Sequence, residues 1–320
     1  MDTRSAHHLA FGPVPSRRLG RSLGINNVPT KTCDYTCVYC QVGPTTLKIV
    51  EPRPFFSPEE IREAVRARVE GVRAAGGGID YLTFVPDGEP TLDARLGESI
   101  EALRPLGIPV AIITNATLLS RGAVREAVAK ADLVSLKVDT VDEDAWRRIN
   151  LPHHDLDLGV ILDGIRRLAS AYRGRLITDT MLIAGINDSE RLLAGTAEFL
   201  AEVDPAAAYI AVPTRPTTVS GTEGADETAL TRAYEIFRGR LARVELLTGH
   251  ESGDFGHTGD ARSDLLSITA VHPMREPAVR RLLEDDAAPW DLVEELLAEG
   301  ALKTVEHAGE RFFLRPVKRR

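Results

Sequence analysis

All three cysteines of this chain of 320 residues fall within Cys33-Asp34-Tyr35-Thr36-Cys37-Val38-Tyr39-Cys40, spaced C-x3-C-x2-C. Three thiolates on one tight loop can hold three corners of a [4Fe–4S] cube and leave the fourth iron without a protein ligand. An iron with an open position can bind and act on another molecule, so the spacing points to catalysis as well as to structure. Two plainer uses compete. A disulfide framework does not suit an odd number of cysteines in a chain long enough to build its own core. A structural zinc would need a fourth ligand, and His7, His8 and His153 all stand far from the loop in sequence. Cys33, Cys37 and Cys40 are therefore read as cluster ligands.

A second group of candidates sits on Leu133-Val134-Ser135-Leu136-Lys137-Val138-Asp139. In a strand, Val134, Leu136 and Val138 share one face, while Ser135, Lys137 and Asp139 share the other. A parallel strand covered by helices on both sides would be apolar on both faces. A polar inner face suits a barrel whose lumen holds a polar ligand, and satisfied core hydroxyls explain a buried lysine–aspartate pair poorly. Thr178 and Thr180 add polar groups to one face of a later strand, with Asp179 on its other face blurring the signal. Glu89 follows a strand, where β/α barrels keep their chemistry; its plainer use is to cap the next helix. Lys137 could pair with Asp139 or Glu89, meet a cofactor carboxylate, or serve as a Schiff-base amine.

The elements that must position these residues alternate regularly. Ser57-Pro58-Glu59-Glu60 is a capping box that opens an amphipathic helix to about Ala75, stopped by Gly76-Gly77-Gly78. Further helices are expected near 93–104, from a Ser120 cap to Lys130, and over 156–172, 189–203 and 226–240. Strands are expected at 22–26, 81–85, 109–113, 132–139, 175–183, 207–212 and 244–247. This order predicts an α/β fold with a parallel sheet and right-handed crossovers, and the polar strand face favours a partial (β/α)6 TIM-like barrel.

After residue 260 the order changes to helices at 264–270, 276–283 and 290–299, then strands at 302–306 and 311–314. That is the order of a winged helix, so a small C-terminal winged-helix-like α+β domain is expected over 261–320. An N-terminal extension and first strand would occupy 1–30, and the core barrel 18–250. The helix placed to read DNA carries Asp291, Glu294, Glu295 and Glu299 and no lysine or arginine. Its sign is wrong for a groove lined with phosphate, so a packing or protein-contact role is expected. Lys318-Arg319-Arg320 is the basic exception.

Phe11-Gly12-Pro13-Val14-Pro15-Ser16-Arg17-Arg18-Leu19-Gly20, the cysteine loop, Asp87-Gly88-Glu89-Pro90, Ile113-Thr114-Asn115-Ala116, Gly185-Ile186-Asn187-Asp188-Ser189, Pro213-Thr214-Arg215-Pro216 and His272-Pro273-Met274-Arg275 occur in that order. Together they resemble the radical S-adenosylmethionine (SAM) enzymes, in the branch of Fe–S oxidoreductases related to the tRNA wyosine-base synthases. The resemblance implies a [4Fe–4S] cluster and SAM as cofactors, and reductive cleavage of SAM to a 5′-deoxyadenosyl radical that abstracts hydrogen from a substrate. It places Gly88 and Glu89 at the methionine amino group; relatives usually read Gly-Gly-Glu-Pro where this chain has Asp87. It makes Asn115, Ser135, Lys137 and Thr180 candidates for the methionine carboxylate and ribose, and the backbone near Tyr39 and Ile186 for adenine.

The resemblance also implies a reductant such as flavodoxin or ferredoxin. The substrate is then a small molecule or an RNA base, and the wyosine reaction itself is set aside because those enzymes carry further cluster cysteines. A redox-sensing DNA-binding regulator is a third reading, and an activase of a partner protein a fourth. The net charge of −8 argues against a chain that coats nucleic acid nonspecifically. The N-terminus lacks the apolar run of a secretory signal, and no stretch has the ~18 apolar residues of a membrane span. A cytoplasmic location is expected, where thiolates stay reduced.

Overall fold

The computed structural model describes residues 9–248, 255–307 and 309–316. The expectations for the N-terminal eight residues and for the Lys318–Arg320 tail lie outside them.

Ala10–Ser16 (β1) turns back into Gly20–Ile25 (β2) as an antiparallel hairpin. The cysteine loop carries two short parallel strands, Thr32–Cys33 (β3) and Leu47–Lys48 (β4). Helices and strands then alternate through Pro58–Ala74 (α1), Tyr81–Phe84 (β5), Leu96–Leu103 (α2), Val110–Thr114 (β6), Gly122–Val128 (α3) and Leu133–Lys137 (β7). Glu143–Asn150 (α4), Leu158–Ala171 (α5), Arg175–Met181 (β8), Glu190–Val203 (α6), Ala207–Ala211 (β9), Glu227–Arg238 (α7) and Val244–Leu247 (β10) complete the series. One eight-stranded sheet runs β1-β2-β5-β6-β7-β8-β9-β10, parallel throughout from β2 onward. It curls into a half-barrel, the partial TIM-like architecture expected.

Local signals explain most boundaries. Ser57 and Glu60 form both bonds of the capping box on α1. Asp142, Asp157 and Asp226 cap α4, α5 and α7 through their side chains. Ser120 does not cap α3, which begins after Arg121 instead. The helix expected from 93 starts later, because Pro90–Leu92 forms a 3-10 turn capped by Glu89. Neither β1 nor α4 was expected from the sequence.

The two faces of the sheet differ as a barrel requires. Leu82, Phe84, Ile112, Val134, Leu136, Val138 and Ile210 pack with the helices in the main core. Leu19, Ala111, Leu133, Ile177, Ala207 and Tyr209 form a separate cluster that fills the lumen at the N-terminal ends of the strands. Leu19 comes from the β1–β2 turn, so the hairpin plugs that end. Lys137 lies opposite Asp179 in register and bonds to it, which puts Asp179 on the lumen side. Two-residue alternation then turns Thr178 and Thr180 toward the helices, the reverse of the expectation for this strand.

The C-terminal part contains Ala261–Val271 (α8), Met274–Arg275 (β11), Glu276–Asp285 (α9), Asp291–Ala298 (α10), Lys303–His307 (β12) and Glu310–Leu314 (β13). Its sheet order is β11-β13-β12, and it has its own apolar core. A buried ion pair ties this part to the barrel. Arg68 of α1 meets Asp264 of α8 at 2.5 Å, their side chains 9% and 0% exposed, and also donates to the Gly12 carbonyl at 2.6 Å. Asp264 accepts from the Thr258 backbone N–H as well.

Replacing Arg68→Met leaves Asp264 buried without its counter-charge, which should cost about 3–5 kcal/mol of unfolding free energy. In urea titrations, adding Asp264→Leu to that variant should restore most of the loss.

Candidate active site

The cysteine loop is pinned to the ends of β5 and β6. Glu89 donates its backbone N–H to the Thr32 carbonyl at 3.0 Å, and Lys31 donates its own to the Asp87 carbonyl at 2.7 Å. Gly88 must be glycine here, since a Cβ would lie 2.0 Å from the Thr32 oxygen. Asp34, fully buried beside Cys33, accepts from Asn115 Nδ2 at 2.5 Å and from the Thr117 hydroxyl. On the opposite side α4 holds the loop: Thr36 and Val38 donate to the Asn150 and Ile149 carbonyls, both at 2.9 Å. Residues 215–222 strap its outer side, with Thr218 donating to the Cys40 carbonyl at 2.6 Å and Arg215 to Gln41 at 2.7 Å.

The three thiols are half-buried. Burial raises all three in pKa, Cys37 to about 12, so they are neutral until a metal displaces their protons. Cys33 Sγ receives the Tyr35 N–H at 3.5 Å, and Cys37 Sγ receives Asn150 Nδ2 at 3.4 Å. Such donors stabilise sulfur that carries negative charge. The C-x3-C-x2-C loop and these N–H donors fit three thiolates of an iron–sulfur cube. Among the described residues, His153, His154 and Asp155 form a separate group on a surface turn.

Glu89 is buried and accepts from the Thr91 N–H and hydroxyl, the Thr114 hydroxyl and the Asn115 N–H, at 2.6–3.0 Å. Burial first, and then the neighbouring Asp34, raise its pKa from 4.5 to about 7 despite those bonds. It therefore both caps the following turn and holds a carboxyl poised near neutrality.

Residues 27–194 match the Radical SAM superfamily. The chain belongs to that superfamily. A UPF0026 protein of Methanocaldococcus jannaschii is 44% identical over 314 residues, covering 98% of this chain and 97% of that one. A probable GTP 3′,8-cyclase of Pyrococcus horikoshii is 27% identical over 161 residues, 50% of this chain and 47% of that one. Among solved structures, TYW1 with a lysine–pyruvate adduct bound aligns at a TM-score of 0.53 and 17% identity, over 69% of this chain and 74% of that one. At that identity the likeness is one of fold. Superfamily membership makes a [4Fe–4S] cluster and SAM the cofactors, and Cys33, Cys37 and Cys40 fit the cluster motif.

The remaining residues singled out from the sequence divide into three groups. Ser135 and Lys137 face the lumen. The Ser135 hydroxyl is buried and has no hydrogen-bond partner, an orphan polar atom that a ligand would satisfy. Lys137 Nζ meets Asp179 at 2.6 Å and Asp139 at 3.9 Å, and lies 5.0 Å from the centre of the Tyr39 ring. Its pairing with Asp139 was expected; Asp179 is the nearer partner, and Glu89 is not one. Burial works against the lysine's charge and the two carboxylates overcome it, raising its pKa. Burial likewise opposes ionisation of Asp179, yet Lys137 and Arg18 hold its carboxyl low.

Asn115 and Tyr39 sit at the site but are already engaged. The Asn115 amide is spent on Asp34, and the Tyr39 hydroxyl donates to Asp139 at 2.5 Å. Ile186 lies in a turn that Asn187 fastens to Asp139, its Nδ2 donating to that carbonyl at 2.8 Å. Thr180 leaves the candidate list: it faces the helices, and its hydroxyl donates to the Val138 carbonyl at 2.8 Å.

Sequence reasoning missed Asp34, Asn150, Asp179 and the lumen position of Arg18, whose NH1 reaches Asp179 at 2.6 Å. It also missed the ion pair that fastens the C-terminal part to the barrel, Arg68–Asp264. Burial, aided by the charge of Arg215, keeps His272 well below its usual pKa.

Because Glu89 binds its proton more tightly when folded, its contribution should make the cofactor-free protein less stable as pH rises from 4.5 to about 7. Asp34, also raised by burial, adds with the same sign. Urea midpoints measured across that window should show a loss on the order of 3 kcal/mol, and Glu89→Gln should flatten the slope.

Proposed function

We propose that this chain is a radical SAM enzyme acting on a small molecule held in the half-barrel lumen. The observation that carries this reading is the lumen itself. Its N-terminal end is plugged by Leu19, while Ser135, Lys137, Asp179 and Arg18 line it beside the cysteine loop. When bound and reduced, the cluster and SAM together supply a 5′-deoxyadenosyl radical for hydrogen abstraction.

The protein's own residues supply position. Glu89 and the backbone at Gly88 would receive the methionine amino group, an ammonium that would draw Glu89 into its ionised form. Ser135 and Lys137 would offer a hydroxyl and an ammonium to a carboxylate or ribose, and Tyr39 with the Ile186 turn would contact adenine. Closure by the strap over the cysteine loop would keep water from a radical that attacks almost any C–H bond.

An RNA substrate finds less support. Arg18 is committed to Asp179, and Arg21 to Asp80 at 2.9 Å, so neither tracks phosphates along a surface. The DNA-regulator reading is disfavoured by α10, whose Asp291, Glu294 and Glu295 carry the wrong charge. Among the described residues no helix is long and apolar enough to cross a membrane.

Anaerobic reconstitution should load about four irons per chain, and reduction with SAM should release 5′-deoxyadenosine and methionine. Changing Cys33, Cys37 or Cys40 to alanine should reduce both to background. Extracts of cells grown in deuterated medium should then pass deuterium to the 5′-deoxyadenosine, identifying the substrate. One bound zinc with no 5′-deoxyadenosine would overturn the proposal.

A further inference from the structure

The turn between β1 and β2 fixes a cation inside the half-barrel. The Ser16 hydroxyl accepts the backbone N–H groups of Arg18 and Leu19, at 3.3 and 3.2 Å, and Gly20 closes the turn at a φ of 64°. Leu19 is thereby set in the apolar plug, and Arg18 reaches Asp179 on β8. Asp179 stands two residues beyond Ile177 of that plug, so the guanidinium lies on the side of the plug that faces the strand ends.

Asp179 gives Oδ2 to Arg18 NH1 and Oδ1 to Lys137 Nζ, both at 2.6 Å. Lys137 has a second carboxylate, Asp139, at 3.9 Å. Among the described residues, Arg18 pairs with Asp179 alone. The shared carboxylate is closed off, 5% exposed, whereas Arg18 and Lys137 keep 21% and 20%. NH1 carries the one hydrogen bond that the guanidinium makes among the described residues; its side edge, Nε and NH2, makes none. On Arg21 the same edge is occupied, donating to Asp80 at 3.1 and 2.9 Å.

Two N–H groups on a planar edge match the paired oxygens of a carboxylate or phosphate. Water can fill the Arg18 edge while the lumen is open. A substrate that occupies the lumen expels that water, and a neutral one would leave the edge buried without acceptors. We infer that the substrate is a small anion, and that Arg18 selects it by seating a carboxylate or phosphate group on its Nε–NH2 edge while Asp179 holds the guanidinium in place. Lys137, on the other oxygen of Asp179, lies 5.0 Å from the centre of the Tyr39 ring. An anion seated on Arg18 thus leaves the rest of the substrate room to extend toward the cysteine loop. The inference rests on the radical SAM reading and adds the substrate class to it. Hydrogen abstraction exchanges a substrate C–H bond for one on 5′-deoxyadenosine and leaves the unpaired electron on the substrate; Arg18 stays protonated throughout.

The test starts from an extract of cells grown in deuterated medium, freed of macromolecules by filtration and separated on an anion exchanger at alkaline pH. Each pool is offered to the reconstituted full chain with SAM and a one-electron reductant. Deuterium should reach 5′-deoxyadenosine from the retained pool and not from the unretained one. Arg18→Gln should need about tenfold more of the retained pool for half-maximal transfer, the loss expected for a charge-assisted hydrogen bond, and Arg18→Lys should shift less. Phosphatase treatment of the retained pool separates the two anions: transfer is lost for a phosphate ester and kept for a carboxylate. Transfer from the unretained pool, or a wild-type dose response in Arg18→Gln, overturns the inference; the two pools decide it with the wild-type chain alone if the variants do not fold. Absence of 5′-deoxyadenosine from the wild-type chain with either pool would instead overturn the radical SAM reading.

Discussion

A single buried carboxylate organises the site. Asp34 has no exposed surface, and a carboxylate without water must find donors or give up its charge. Its donors, Asn115 and Thr117, lie just beyond the end of β6, so meeting that demand draws the cysteine loop onto the strand ends. Asn115 in turn gives its backbone N–H to Glu89. Loop, strand end and glutamate thus form one connected hydrogen-bonded unit, which fixes the sulfurs relative to the lumen before any cofactor arrives.

Charge is layered around that unit. Asp34 and Glu89 crowd one side, and their mutual repulsion adds to burial in raising the glutamate. Lys137 and Arg18 share Asp179 in the lumen, while Asp139 takes bonds from Tyr39, Asn150 and the Met181 N–H. Each buried charge there has a partner of opposite sign or several hydrogen-bond donors. The lumen can therefore be polar without being unstable, and the Ser135 hydroxyl is a lumen-facing polar group still open to a ligand.

The parts outside the parallel sheet close this arrangement. The β1–β2 hairpin supplies both the apolar plug and Arg18. The C-terminal part is fastened to the barrel through Arg68 and Asp264. Residues 27–194 carry the superfamily match, whereas these closing elements lie on either side of it. The same cluster chemistry can thus be given a different chamber by changing what surrounds the core.

The cluster ligands were legible because their information is local: spacing alone brings three thiols onto one loop. The alternation of helix and strand was legible for a similar reason, since caps, glycines and two-residue periodicity act over a few positions. The same periodicity identified Ser135 and Lys137 as a lumen pair, but it could not say which face of the next strand joined them. A shift of one residue exchanges the faces, so Asp179 and Thr180 were distinguishable only through the register with Lys137. The partners Arg18–Asp179, Lys31–Asp87 and Arg68–Asp264 are far apart in sequence, and local preference carries no record of such pairs. Sequence determined which chemistry the chain can support. Tertiary structure decided where buried charge is placed around it, because the cost of burying a charge depends on neighbours that only the folded chain brings together.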